Sequence, residues 1–441
     1  MIYKPMMAAT ALVVACCCFS AASAAPAKGV RSAPVSSAAQ ADTPYAAYVR
    51  RDVPALTGTA SADTLTGTAG VDIMTGLAGA DILTGAGGID KMDGGQDGDI
   101  YIIAAATEHT AAEIADTGTS GTDEVRFTAT TAGTLTLYAG DTGLEKAVIG
   151  TGTASAAVTT GTTANNIDAS ALAYGITLIG NAGANVLTGG TSNDTLTGNG
   201  GVDTFNVSAG TDTITDLGNG GADILNVSAG ATVNATASAA WTASATTVNH
   251  GTVNISTSGL AVDLSAVTAT TTGNYGYHVT NTGAAATFTG SALDDWLTGG
   301  TGNDTLLGGN GADQLRGGAG NDTLTGGAGA DFFIFDTTPS ATTNKDTITD
   351  FVSGTDKLEF SKAIFTGLSS AALGGLTSDA FWSGSSVTAA HDATDRFVYN
   401  TATGALYYDA DGIGGTAAIQ VALLGTSTHP TLVYSDIMLL A

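Results

Sequence analysis

Thirteen residues fall on a nine-residue spacing. They are Asp63, Asp72, Asp81, Asp90 and Asp99; then Asn185, Asp194 and Asp203; then Asp295, Asp304, Asp313, Asp322 and Asp331. Carboxylate oxygens are hard ligands, suited to Ca²⁺ with its shell of about 6–8 oxygens at ~2.4 Å. The unit around each is G-G-x-G-x-D-x-L-x. It is cleanest in the third block, where the second and fourth glycines are Gly300 and Gly302, Gly309 and Gly311, Gly318 and Gly320, and Gly327 and Gly329. Glycines at the first, second and fourth places permit the left-handed backbone angles of a tight turn. The last three residues can extend as a short strand with the apolar one inward: Leu65, Met74, Leu83 and Met92; Leu187 and Leu196; Leu297, Leu306, Leu315 and Leu324. Two units make one coil of ~18 residues, and coils stack at the strand spacing of ~4.8 Å. Aspartates 18 residues apart, such as Asp295 and Asp313, then lie one above the other. Bare carboxylates that close repel. A bridging Ca²⁺ removes the repulsion, and turn carbonyls complete its shell. Blocks of five repeats offer three same-edge pairs and a block of three offers one, so about seven Ca²⁺ ions are expected at most.

The elements that position these residues read as all-β: parallel β-roll or β-solenoid blocks, β-rich segments between them, and a C-terminal β cap. The expected organisation is repeat blocks at 56–102, 180–226 and 290–336, Thr/Ala/Gly-rich β regions at 103–179 and 227–289, and the cap at 337–441. In the final repeat of each block the inward position turns aromatic (Tyr101, Phe205, Phe333), which reads as a lid on an exposed last coil. Val125–Thr130 and Thr134–Tyr138 read as strands, and Ser370–Leu373 as a short helical turn. A longer duplication is also present. Asp212-Thr-Ile-Thr-Asp-Leu217 follows the second block and Asp346-Thr-Ile-Thr-Asp-Phe351 the third, each leading into a Gly-containing turn and an Asp-led strand.

The totals exclude several functions. Forty acids face 13 basic residues, for a net charge of −27. This opposes nucleic-acid binding and attachment to an anionic membrane. Five of the acids are Glu and 35 are Asp, a skew toward turns and hard cations rather than helices. Residues 1–24 carry Lys4, an apolar run and Ala22-Ser23-Ala24, as a secretory signal peptide does. Cleavage after Ala24 leaves no cysteine; a lipoprotein box lipidated at Cys16 is the other reading of Val13-Val14-Ala15-Cys16. Residues 25–55 hold four of the seven prolines and read as a linker. No later segment is apolar for the ~20 residues that span a bilayer. The five histidines form no H-E-x-x-H and there is no G-x-S-x-G, so those zinc-protease and hydrolase patterns are absent. Glu113, Asp116, Asp123 and Glu124 could pair for glycoside chemistry, but a solvated loop is the preferred reading.

The blocks resemble the RTX (hemolysin-type) calcium-binding nonapeptide repeats, and the third matches best. The first block departs at the second glycine (Thr59, Thr68, Leu77, Ala86), and the second block carries Asn185 for Asp. Thr347–Phe360 is similar to the strand and turn that follow such rolls. Asp395–Asn400 and Ala405–Asp409, joined by Thr401–Gly404, read as a hairpin. Asp409-Ala-Asp411-Gly412 lacks the rest of an EF-hand and reads as a turn. The C-terminal Ser435–Ala441 is similar to a type I secretion tail, or is the fold's last strand. The resemblance implies Ca²⁺ as cofactor, a location outside or on the surface of a Gram-negative cell, and folding driven by external calcium. A surface-layer, matrix or adhesin-like role is expected, with itself, surface polysaccharide or matrix as partners. An extracellular enzyme using the repeats as a folding module is the alternative.

Overall fold

The computed structural model describes residues 55–268 and 276–441. The expected leader with Cys16, and the linker up to residue 54, lie outside the described residues. Residues 52–441 form one compact unit.

Within it the chain winds as a parallel β-solenoid. One face is a long ladder of parallel strands that begins at Thr64–Thr66 and Ile82–Thr84 and runs coil after coil to Lys357–Ser361 and Ile437–Leu440. The facing strands form three successive parallel ladders, opening at Ala55–Thr57, at Thr134–Thr136 and at Trp241–Thr242. In the blocks the register step is 18 residues, as for Leu297 on Leu315 and Leu306 on Leu324. The segments between blocks are coils of the same stack. Their steps are longer and irregular: Tyr101 pairs with Val125, Ala147 with Leu178, Val253 with Tyr277. Leu83, Leu196, Leu297, Leu306 and Leu315 are fully buried, forming a file of apolar side chains between the faces. Burying each Leu contributes roughly 1.5–3 kcal/mol.

The three aromatics are not lids. Tyr101, Phe205 and Phe333 are fully buried inside the stack, paired in register with Val125, Leu225 and Leu358 of the next coil. Each stands where an 18-residue coil gives way to a longer one, so its ring fills a wider cross-section. The hairpin is present as Phe397–Asn400 against Ala405–Tyr408, antiparallel. The helical turn is a 3-10 turn at Thr366–Leu368, a few residues before the expected place. Residues 409–412 form a turn with Gly412 at φ +70°. Ile437–Leu440 adds the last parallel strand, and buried Asp436 accepts from Ser353 Oγ at 2.6 Å and Gly354 N–H at 2.9 Å.

Candidate metal centre

The clocked aspartates occupy the turns at the coil edges, with side chains inward. In all of them but Asp63 and Asp72, Oδ1 accepts the backbone N–H one coil earlier. Asp63 N–H donates to Asp81, Asp81 N–H to Asp99, Asp295 N–H to Asp313, and Asp304 N–H to Asp322, all at 2.7–2.8 Å. Asp72 N–H donates to Asp90, Asn185 N–H to Asp203 and Asp313 N–H to Asp331, at 2.8–3.0 Å. The columns continue past the repeats to Asp123, Asp212, Asp223, Asp346 and Asp356. Stacking of residues 18 apart is thus as expected, with a hydrogen bond holding each step.

The second oxygen divides the aspartates into two groups. In Asp63, Asp72, Asp194 and Asp295, Oδ2 accepts the N–H of Thr59, Thr68, Gly190 and Ser291, four residues earlier. The Thr59, Thr68 and Ser291 hydroxyls add a second bond. These Oδ2 atoms are satisfied as turn caps, while Asp72 Oδ1 is buried with no hydrogen-bond partner among the described residues. Asn185 likewise accepts from Asn181 N–H, and its amide donates to Asn165 O, so an N–H stands where an ion would. In Asp81, Asp90, Asp99, Asp203, Asp304, Asp313, Asp322 and Asp331, Oδ2 is buried with no hydrogen-bond partner among the described residues. A buried unpaired carboxylate oxygen is costly, and eight of them in repeated geometry call for a common partner.

The surroundings of those oxygens fit Ca²⁺. A Cβ placed on Gly308 would lie 2.3 Å from Asp313 Oδ2 and 2.5 Å from the Gly326 carbonyl oxygen of the next coil. One on Gly299 would meet Asp304 Oδ2 at 2.7 Å and the Gly317 carbonyl at 2.5 Å. Carboxylate and carbonyl oxygens therefore come together against a glycine that leaves no room for a side chain, the hard-oxygen set that calcium takes. Bound there, the ion would supply positive charge and close the turn, with Asp313 and Gly326, or Asp304 and Gly317, among its holders.

This corrects the reason for the first glycine. Gly300, Gly302, Gly309, Gly311, Gly318, Gly320, Gly327 and Gly329 all have positive φ, as the turn requires. The first-place Gly299, Gly308, Gly317 and Gly326 do not; they are needed for room. The signal was available, because Gly58, Gly67, Gly76, Gly85 and Gly94 keep this position through the block where the second glycine is lost. At three second places a side chain bears the left-handed conformation instead: Leu77 (φ 85°), Ala86 (φ 63°) and Asn199 (φ 66°).

The acids outside the clock also fall into place. Glu113, Asp116, Asp123 and Glu124 are buried, so the solvated-loop reading fails. Glu113 pairs with His109 at 3.2 Å, and Glu124 contacts Arg126 and Lys146. Asp123 continues the column. In the duplicated motif the first acid, Asp212 or Asp346, stays in the column. The second, Asp216 or Asp350, accepts the paired amides of the last repeat turn: Gly198 and Asn199, or Gly326 and Gly327.

Burial, and then neighbouring carboxylates, push Asp313 up to about 8 and Asp99 and Asp203 up to about 7, against the backbone N–H bonds that lower them. The unfolded value is about 3.9. The folded metal-free chain thus holds protons that the unfolded chain releases. The stability these three groups contribute is fully present below pH ~4 and is lost as pH rises toward ~8. In chelator, the thermal midpoint is expected to fall between about pH 5 and pH 8, and saturating Ca²⁺ to abolish that fall. A chelated midpoint that rises across this window would show that the carboxylates are matched without ions.

Comparison with known families finds four matches to the RTX calcium-binding nonapeptide repeat, at residues 57–92, 179–214, 289–324 and 307–337. They coincide with the three clocked blocks. Comparison with curated proteins finds no match.

Proposed function

We propose that this chain, which carries RTX calcium-binding repeats, is an exported structural or adhesive protein whose solenoid is completed by external calcium. The observation that carries the reading is the set of buried aspartate oxygens without partners, each beside an open glycine cradle. Such a chain is self-repelling without calcium and compact with it. Calcium-rich surroundings outside the cell supply that condition, and RTX repeats usually belong to secreted proteins. Among the described residues no helix is long and apolar enough to cross a membrane.

A role on a surface or in a matrix draws support from the exposed sheet. Asn254 donates to Asn234 at 2.9 Å and Thr197 pairs with Thr215 at 2.7 Å, giving rows of hydroxyls and amides along the stack. Half-exposed Trp296 stacks on His278, ring centres 4.6 Å apart. They border a groove of about 460 Å³ with Asn234, Asn254 and Thr280. An aromatic face beside amides and hydroxyls suits a polysaccharide chain. Trp296→Ala is expected to lower retention on purified surface polysaccharide about tenfold while leaving calcium stoichiometry unchanged. Equal retention of the two proteins would remove the polysaccharide reading, and release of sugar chain ends would replace it with an enzyme.

A further inference from the structure

The three blocks end alike, in a way the nonapeptide itself does not encode. The last repeat aspartate is Asp99, Asp203 or Asp331. Its N–H donates to the next column acid, Asp123, Asp223 or Asp356, at 2.8–3.1 Å. A third acid, Asp116, Asp216 or Asp350, lies 6–7 residues before that one and covers the amides of the last turn. In the first block Gly95 N–H reaches Asp116 at 3.4 Å, while Gly94 N–H donates to the Tyr101 hydroxyl, which donates on to Asp116. There the three carboxylates each place an oxygen within 4.8 Å of the other two, and all three are buried.

Each trio holds an unpaired oxygen. Oδ2 of Asp99, Asp203 and Asp331 is buried without a partner among the described residues. A Cβ on Gly94, Gly198 or Gly326 would lie 2.1–2.3 Å from it. The charged groups acting on Asp99 are Asp81, Asp116 and Asp97, and those on Asp123 are Asp116, Glu145 and Asp99, all acids. Tyr101 donates its hydroxyl proton to Asp116, so Asp116 faces the other two carboxylates as a hydrogen-bond acceptor. Three buried carboxylates this close repel when ionised, so they either keep protons or take a cation in their place.

We propose that the first block ends in a three-carboxylate site for a divalent cation of the calcium type, built from Asp99, Asp116 and Asp123, in which the last repeat aspartate is joined by two acids from beyond the repeats. This site carries more charge per ion than the repeat sites, so it binds more tightly and fills first. The inference rests on the repeats binding calcium. Asp99, Asp116 and Asp123 all lie beyond the matched residues 57–92.

Crystals of the purified chain soaked with Tb³⁺ test this by anomalous scattering, beside calorimetric Ca²⁺ titration. A peak among Asp99, Asp116 and Asp123 is expected, and Asp116→Asn should weaken the tightest class of sites about tenfold. Tyr101→Phe should keep the ion but lose the tyrosine-sensitised terbium emission. Peaks at the repeat turns with none at the trio would overturn the inference and leave the calcium reading standing. No peak at either place would overturn both. The diffraction arm needs no variant, so a misfolded Asp116→Asn protein does not blunt the test.

Discussion

In EGTA the purified chain is expected to lose most of its β-sheet circular dichroism. Ca²⁺ at sub-millimolar to millimolar concentration should restore it cooperatively, and Mg²⁺ should not. The size of the effect follows from the number of unmatched oxygens. Among the described residues, eight buried carboxylates have an Oδ2 without a hydrogen-bond partner. Each ion that binds only the folded chain adds ~2.7 kcal/mol at a hundredfold excess over its dissociation constant. Summed over several sites this reaches or exceeds the whole stability of an ordinary domain, ~5–15 kcal/mol. Mg²⁺ fails because it demands short octahedral bonds and sheds its water reluctantly, whereas these turns offer carboxylates and carbonyls at the looser spacing calcium accepts. Cooperativity arises because each column step is also a hydrogen bond, so one closed turn presents the next with an ordered neighbour. An unchanged spectrum in EGTA, with no heat on titration, would mean that the aspartates only shape turns.

The second large effect is at Gly308, where Gly308→Ala should cost about 1–3 kcal/mol from overpacking alone, and abolish the ion held by Asp313. The usual rule points the other way. At a position without positive φ, Gly→Ala stabilises by about 0.4–1 kcal/mol through the unfolded chain. Here the added carbon meets a backbone carbonyl at 2.5 Å as well as Asp313 Oδ2 at 2.3 Å, and a backbone oxygen cannot rotate away. The contrast is Leu77→Gly, in an exposed residue at φ 85°. Removing left-handed strain worth ~1–2 kcal/mol, less the entropy cost of glycine, should stabilise by about 0.5–1 kcal/mol. Thermal unfolding in Ca²⁺ and in chelator measures both. A neutral Gly308→Ala with full calcium stoichiometry would show that the cradle is not where the ion sits.

What the sequence made legible is what repeats. The nine-residue spacing fixes which residues turn, which extend and which face inward, and Leu297, Leu306, Leu315 and Leu324 are buried as that spacing demands. The hairpin at 397–408 was legible from strand-forming residues flanking a Gly-ended turn. The intervening coils were not, because steps such as Ala147 to Leu178 leave no period to read. The capped and uncapped aspartates could not be told apart by spacing either. The difference lies in the backbone four places earlier: where Thr59, Thr68, Gly190 or Ser291 has no positive φ the amide folds onto the carboxylate, whereas a positive φ there, on a glycine or on Leu77, Ala86 or Asn199, leaves it free. Asp116 was obscure because its role depends on a Tyr101 hydroxyl that arrives through the core. Tyr101, Phe205 and Phe333 were recognised as marking block ends, but their position inside the stack follows only from the coils beyond them.

The return of each long coil to the same carboxylate column, at Asp123, Asp223 and Asp356, bears on how such a chain can change length. Phase matters to it and length does not. Eighteen residues gained or lost within a block leave every carboxylate over another, much as a codon-sized change spares a reading frame. A loop between blocks can lengthen freely so long as an acid re-enters the column at its end. One stray residue inside a repeat does more damage than dozens outside it. Inside a block the chain can therefore be edited safely only in whole turns, and a gene encoding it can expand or contract by recombination between its own repeats without passing through an unfoldable intermediate.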